Sequence, residues 1–202
     1  LSDAAYGEQS PLPSWSFMRD LKEHYDVSTV LRAAGYFSLL YLDKSPQDLL
    51  NLIQGLMQEA LDEFYEKYTK LQDQYQESKS IAKPRALTYQ DLLEECQKKA
   101  GFKDFMERVN QEAKVELQKG LSYQEVTLSN VQKALDFYDK KEALAVLAVA
   151  PPYYPTMNSR QLQEQDLDMD RFISFYQNYL ANKGSYQLKV EEFFMGICDM
   201  SY

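Results

Sequence analysis

One long run of regularly spaced apolar residues dominates the hydrophobic pattern, between Ser45 and Lys79. Its apolar positions are three or four residues apart: Leu49, Ile53, Leu56, Ala60, Phe64, Tyr68, Leu71 and Tyr75. This spacing is typical of one face of an α-helix. Residues 45–48 (Ser-Pro-Gln-Asp) supply an N-cap hydroxyl, a first-turn proline and a first-turn carboxylate. The pattern therefore predicts a central helix over about 45–79, roughly 50 Å long at about 1.5 Å per residue.

Further apolar runs, separated by proline and glycine, are typical of additional helices. We predict them over 14–25, 27–42, 88–100 and 103–119, from Ser122 or Ser129 to Ala150, over 168–182, and from Ser185 onward. The run 27–42 is apolar nearly all round, which is typical of a buried helix. Gly101, Gly120 and Gly184 each follow a helical run, where a left-handed residue often ends a helix.

The sequence predicts an all-α fold, an irregular multi-helix bundle around one long central helix at about 45–79. A minor two-stranded β element stays open as an alternative, because 121–128 and 185–190 carry β-branched or alternating apolar residues. Residues 1–13 contain two prolines and little to bury, so we expect an extended N-terminal arm. The remainder, 14–202, is predicted to be a single helical domain, with a sub-boundary near the proline-rich segment 151–160 as the alternative.

Three tetrapeptides share the pattern hydroxyl-x-Gln-acid, at 45–48, 88–91 and 122–125. We interpret each as a capping box. In this motif the hydroxyl of the first residue accepts a hydrogen bond from the backbone amide of the fourth, and the acidic side chain of the fourth accepts one from the backbone amide of the first. The last two lie 34 residues apart, a spacing found in helical repeats, which is the alternative reading.

The composition excludes several function classes. The net charge of −9 argues against nucleic acid as a partner, because phosphate binding needs a basic face. The longest apolar runs fall short of the roughly 20 residues of a transmembrane helix, so we expect a soluble, acidic chain, rich in tyrosine at 16 residues. Cys96 and Cys198 are read as two buried thiols, with one disulfide as the alternative. The chain starts at Leu1; a removed leader would indicate export or organelle import, and an artificial chain boundary explains it equally well.

Catalytic and cofactor chemistry has little support in the sequence. His24 is the single histidine, which leaves no histidine pair for a metal centre, and no glycine-rich phosphate loop occurs. We therefore expect no catalytic residue and no cofactor. Asp166, Asp168 and Asp170 match three positions of a calcium loop, but arginine and glutamine replace its required glycine and glutamate, so we interpret them as the acidic start of a helix.

The remaining candidates for binding are aromatic side chains that a partner protein would contact. They are Tyr153, Tyr154, Trp15, Tyr65, Tyr68 and Tyr75. Tyrosine offers a large apolar area with a polar tip, and prolines on both sides of 153–154 reduce the entropy lost on docking.

The first hypothesis is a non-catalytic helical interaction or scaffold protein that docks to a larger protein partner or assembly. The second is a carrier of a small apolar ligand, such as a lipid or pigment, held between helices. Its pocket would be lined by Met18, Phe37, Phe105, Met106, Phe193, Phe194 and Met195. The third is an enzyme that uses carboxylates and tyrosines without histidine.

Overall fold

The computed structural model describes residues 2–3, 8–22, 30–42, 44–75, 81–140, 142–153, 157–158, 169–184 and 193–194. The chain divides into two compact units: Leu1–Asp43 with Tyr154–Tyr202, and Lys44–Tyr153. In chain order the second unit is therefore inserted into the first.

The all-α prediction is wrong, because the described residues form a mixed α/β structure with a minor strand content. In chain order the elements are β1 (Ser2–Asp3), β2 (Glu8–Gln9), β3 (Ser14–Asp20), β4 (Ala33–Ser38), α1 (Pro46–Tyr75), β5 (Arg85–Thr88), α2 (Tyr89–Gln97), α3 (Phe102–Gln118), α4 (Tyr123–Tyr138), β6 (Leu144–Leu147), β7 (Met157–Asn158), α5 (Met169–Ala181) and β8 (Phe193–Phe194). The strands make four two-stranded sheets: β1–β2, β3–β4 and β7–β8 are antiparallel, and β5–β6 is parallel.

In the first unit, β3 and β4 form an antiparallel pair where helices were expected over 14–25 and 27–42. Trp15 packs against Phe37, with ring centroids 5.0 Å apart, and Phe17 stacks on Tyr36 at 4.9 Å. Cross-strand aromatic pairs of this kind stabilise a sheet. A short apolar run does not distinguish a strand from a buried helix by periodicity, which explains the error.

Glycine is required at position 35, where the two strands approach closely. A Cβ atom there would lie 2.8 Å from Cζ3 of Trp15 and 3.0 Å from the carbonyl oxygen of Phe17. We expect Gly35→Ala to destabilise the β3–β4 pair by about 1–3 kcal/mol through overpacking. Urea unfolding followed by fluorescence of Trp15, the single tryptophan of the chain, measures this effect.

Gly55 in α1 provides the matched control, because a Cβ atom there meets nothing within 4 Å. Glycine inside a helix is less favourable than alanine by about 0.5–1 kcal/mol, so Gly55→Ala is expected to stabilise the Lys44–Tyr153 unit, and urea unfolding followed by far-ultraviolet circular dichroism measures this. An unfolding midpoint of Gly35→Ala equal to that of the unsubstituted chain would show that the close approach is not real.

The second unit contains the long helix that the sequence predicted, now bounded at Pro46–Tyr75. Its hydrophobic core lies among α2, α3 and α4, with Leu92, Cys96, Phe105, Val109, Ala134 and Tyr138 buried together. Cys96 is a free buried thiol that donates to the carbonyl oxygen of Ala134 at 3.6 Å, and Cys198 lies outside the described residues.

The helix expected to run to Ala150 instead ends at Tyr138. Asp139 follows it in the left-handed conformation, at φ 50°. Charged residues then lead into β6, which pairs parallel with β5. A parallel pair needs a long crossover connection, and α2, α3 and α4 provide it here.

All three predicted capping boxes are confirmed. Thr88 and Asp91 exchange bonds at the start of α2, and Ser122 and Glu125 do so at the start of α4. At the start of α1, the amide of Asp48 donates to Oγ of Ser45 at 3.1 Å, and the amide of Ser45 donates back at 3.3 Å. The 34-residue spacing is therefore explained by capping without a structural repeat.

Gly120 ends α3 in the left-handed conformation at φ 88°, as expected. Its amide donates to Leu117 at 3.0 Å, and the amide of Leu121 donates to Glu116 at 3.2 Å. These two bonds make a Schellman motif, which satisfies carbonyl groups at the helix end.

Candidate interaction surface

Helix α1 buries Leu49, partly buries Met57 and Leu61, and bonds to the rest of its unit through polar side chains. Gln58 donates from Nε2 to the carbonyl oxygen of Pro84 at 3.3 Å and accepts from the amide of Ala86 at 2.8 Å. Gln54 donates to the carbonyl oxygen of Ala86 at 3.1 Å. Because these bonds pair the backbone at β5 with helix side chains, they fix the rotation of α1 about its own axis.

Two further contacts continue this polar face. The hydroxyl of Tyr65 donates to the carbonyl oxygen of Ile81 at 3.4 Å, and Nζ of Lys83 lies 3.1 Å from Oδ1 of Asp62. Hydrogen bonds from Gln58 and Lys83 lower the pKa of Asp62, since both favour the charged carboxylate. The side of α1 that faces β5 is therefore held by hydrogen bonds and an ion pair.

The apolar positions of α1 lie on a different side of the helix. At 3.6 residues per turn, the centre of the apolar stripe is about 120° around the axis from the side that carries Gln54, Gln58 and Tyr65. Leu49 is buried at 7% exposure, and Ile53 and Tyr68 are half-buried. The remainder we call the outer stripe: Leu56, Ala60, Phe64, Leu71 and Tyr75.

The outer stripe is open to solvent over about 28 Å of helix. The exposed fractions are 56% for Leu56, 56% for Phe64, 53% for Leu71 and 72% for Tyr75, and Ala60 is also exposed. Scattered apolar residues on a surface are normal, whereas a contiguous apolar patch marks a binding surface.

Charged residues line the edge of the outer stripe on the side away from β5. The acidic pair Glu59 and Glu63 comes first, and the basic pair Lys67 and Lys70 follows. Nζ of Lys67 lies 2.6 Å from Oε1 of Glu63, with both side chains well exposed. The hydrogen bond from Lys67 lowers the pKa of Glu63. We call these four residues the charged flank.

The three candidate tyrosines of α1 have different surroundings. Tyr65 faces β5 and is half-buried, whereas Tyr75 belongs to the outer stripe. Tyr68 is half-buried at the edge of the stripe; its hydroxyl accepts from Nε2 of Gln72 at 3.2 Å, and its ring lies 6.1 Å from Phe64. The structure therefore brings Tyr68 and Tyr75 to one surface with Phe64 and separates Tyr65 from it.

The other candidate aromatics lie elsewhere. Trp15 is 63% exposed on β3, in the first unit. Tyr153 is 50% exposed after the two prolines at 151–152, and Tyr154 lies outside the described residues.

Helix α5 carries an aromatic surface that sequence reasoning missed. Its members are Phe172, Phe175, Tyr176 and Tyr179, which are 56%, 63%, 43% and 50% exposed. The ring centroids of Phe172 and Tyr176 are 4.9 Å apart, and Nζ of Lys183 lies 5.6 Å from the ring centroid of Tyr179. The spacing i, i+3, i+4, i+7 was the signal, since it places all four rings on one helix face.

Of the residues considered for metal binding and catalysis, the structure describes only part. Asp170 is exposed in the first turn of α5, while Asp166, Asp168 and His24 lie outside the described residues. In the part of the chain that the structure describes, no three His, Cys, Asp or Glu side chains are grouped to hold a metal ion. Burial raises the pKa of the Cys96 thiol, which disfavours the reactive thiolate.

A groove of about 360 Å³ lies between α3 and α4. Its lining residues are Phe105, Arg108, Val109, Glu112, Lys133, Asp136 and Phe137. Lys133 binds both Glu112 at 3.0 Å and Glu116 at 2.8 Å. Charged side chains thus form much of the wall, which is a poor match to an apolar ligand.

None of the helices within the described ranges is long and apolar enough to cross a membrane.

Comparison with known proteins gives a similarity but no function. The chain is 24% identical over 201 residues to the uncharacterized protein YqjN of Bacillus subtilis (strain 168). The alignment covers 97% of this chain and 36% of that protein, so the chain spans about a third of the length of the curated relative it matches. No family model matches the sequence, and no solved structure matches it.

Proposed function

We propose that the chain is a non-catalytic interaction protein that docks, through the outer stripe of α1, to a protein partner or a larger assembly. One observation carries this proposal: glutamine, tyrosine and aspartate side chains of α1 bond to the segment at and before β5, while four large side chains of the outer stripe, Leu56, Phe64, Leu71 and Tyr75, are each more than half exposed. Covering the stripe removes apolar surface from water, at about 25 cal/mol per Å².

The shape and composition of the surface fit protein recognition. The stripe is a straight row of large aliphatic and aromatic side chains, and the charged flank borders it on one side. An apolar centre with a polar rim is the usual anatomy of a protein interface. Anchors three or four residues apart on a helix are the pattern by which helices bind other helices or grooves.

The length of the relative supports the same function. About two thirds of YqjN lies outside the region that matches this chain. In that protein a region similar to this chain is therefore joined to a larger polypeptide, which is consistent with a region that contacts other protein.

The two alternative functions lack such an observation. The groove between α3 and α4 is walled by Arg108, Glu112, Lys133 and Asp136, which disfavours a lipid or pigment. The two carboxylates of the groove do not form a buried pair, because Glu112 is bound to Lys133 and Asp136 is exposed. A histidine-independent enzyme would need such a pair.

Size-exclusion chromatography of extracts from the natural source tests the proposal. We expect the protein to elute in an assembly larger than one chain, and the double variant Phe64→Glu with Leu71→Glu to elute as a single chain. Because both side chains are more than half exposed, the variant should keep its helical circular dichroism.

The matched control is Asn51→Glu with Gly55→Glu, which adds two carboxylates to the opposite side of the same helix. It should elute with the assembly. Elution of the unsubstituted protein as a single chain, or of the stripe variant within the assembly, would overturn the proposal.

A further inference from the structure

We infer that the partner bound by the outer stripe is a second copy of this chain, and that the two α1 helices pack antiparallel across a two-fold axis. This inference rests on the proposed function and names the occupant of the same surface. It is carried by two properties of α1: the stripe reads nearly the same from both ends, and the charged flank is complementary to itself.

The spacing of the stripe is close to symmetric about its middle. From Leu56 through Ala60, Phe64 and Leu71 to Tyr75, and with Tyr68 at the edge of the stripe included, the steps are 4, 4, 4, 3 and 4. A two-fold axis between Phe64 and Tyr68 places Leu56 opposite Tyr75 of the second copy. The same axis places the small Ala60 opposite the larger Leu71, so that small and large side chains alternate across the contact.

The charged flank decides the direction of the helices. Antiparallel packing brings the same flank of both helices together in reverse order. Glu63 then meets Lys67 of the second copy, and Glu59 meets Lys70. An isologous contact must be self-complementary, and a flank that changes from acidic to basic along its length meets this condition.

The ion pair between Lys67 and Glu63 of one chain does not prevent either residue from pairing with the second copy instead. Lys67 and Glu63 are 70% and 68% exposed in their 2.6 Å contact, and exposed pairs contribute little stability. Each charge can therefore take a partner on the second copy without a large loss, while the apolar stripe leaves water.

Sedimentation velocity of the purified full chain tests the inference over a range of concentrations. We expect a species of twice the monomer mass. Glu59→Lys with Glu63→Lys makes the flank wholly basic, and Lys67→Glu with Lys70→Glu makes it wholly acidic. Each should raise the dimer dissociation constant about tenfold or more, because like charges then face each other.

Two rescue measurements distinguish a charge effect from misfolding. An equimolar mixture of the basic and acidic variants should recover the dimer, and so should the variant with all four reversals. The matched control, Asn51→Lys with Asp73→Lys, lies on the side of α1 opposite the stripe and should leave the dissociation constant unchanged.

Each alternative outcome overturns the second-copy inference. A chain that stays monomeric while the protein elutes in a larger assembly from its natural source keeps the proposed function and removes the second copy as the partner. A dimer dissociation constant that the charge reversals leave unchanged would show that the two copies bind through another surface or in another orientation. Failure of the mixed basic and acidic variants to form the dimer would show the same.

Discussion

Phe105→Ala is expected to lower the free energy of unfolding of the Lys44–Tyr153 unit by about 3–5 kcal/mol. Phe105 is 3% exposed in the core, and its ring stacks on Phe137 with centroids 4.3 Å apart. The ring centroid of Phe102 lies 6.2 Å from that of Phe105 and 6.2 Å from that of Phe137. Removing the ring leaves a cavity among three helices, since α2, α3 and α4 each contribute to the cluster. Urea unfolding followed by far-ultraviolet circular dichroism measures the loss.

The same truncation on the outer stripe provides the comparison. Phe64→Ala removes a ring that is 56% exposed, so we expect a loss below about 1 kcal/mol in the monomeric protein. Equal losses for the two variants would mean that Phe64 belongs to the core and that the stripe is not a free surface.

Glu142→Gln is expected to lower the free energy of unfolding by about 1–2 kcal/mol at pH 7. Glu142 binds Arg85 through two bonds, at 3.2 Å and 3.0 Å, and accepts a short hydrogen bond from the hydroxyl of the buried Tyr138. These bonds tie the end of α4 to β5. Bonds to a charged group contribute about 1.5–3 kcal/mol, and the 42% exposure of the Arg85 side chain reduces this through solvent screening.

The pH dependence of this difference follows from the pKa of Glu142. The hydrogen bond from Tyr138, followed by that from Arg85, lowers the pKa of Glu142 in the folded state. Its stabilisation is therefore present above the unfolded value of about 4.3 and is lost as the pH falls through the folded-state pKa. Urea unfolding at pH 7, 5 and 3 should show that the difference in the free energy of unfolding between the unsubstituted chain and Glu142→Gln decreases as the pH falls. A difference that stays constant with pH would contradict the assigned role of the carboxylate.

Local signals in the sequence identified most of the helices and their ends. The capping boxes at 45–48, 88–91 and 122–125 are made of contacts within four residues, so sequence alone contains them. The same is true of Gly120, whose left-handed conformation needs no distant partner. The long helix was found because its period is sustained over many turns.

The sequence did not predict the strands, because the residues that stabilise each strand are far from it in the sequence. Arg85 pairs with Leu144, and three helices separate them in the chain. In the 14–38 region, the rings of Trp15 and Phe37 meet only once two strands are side by side. Such apolar runs satisfy the pattern of a buried helix equally well.

The sequence located the apolar side of α1 but not its surroundings. The apolar period of α1 showed that one side of the helix is apolar, but it did not show which side packs. Gln54 and Gln58 take the packing role because their amides pair backbone groups of Pro84 and Ala86, a match that periodicity does not reveal. The aromatic surface of α5 has the period of any one-sided apolar helix, and that period does not distinguish an exposed side from a buried one.

Site-specific photo-crosslinking in the natural source tests the interaction role of the outer stripe most directly. A photoreactive phenylalanine replaces Phe64 in one variant and Glu66, on the opposite side of α1, in the other. We expect a covalent protein adduct from position 64 and none from position 66, and the second-copy inference further expects twice the monomer mass. Adducts of equal yield from both positions, or none from position 64, would contradict the docking function of this helix.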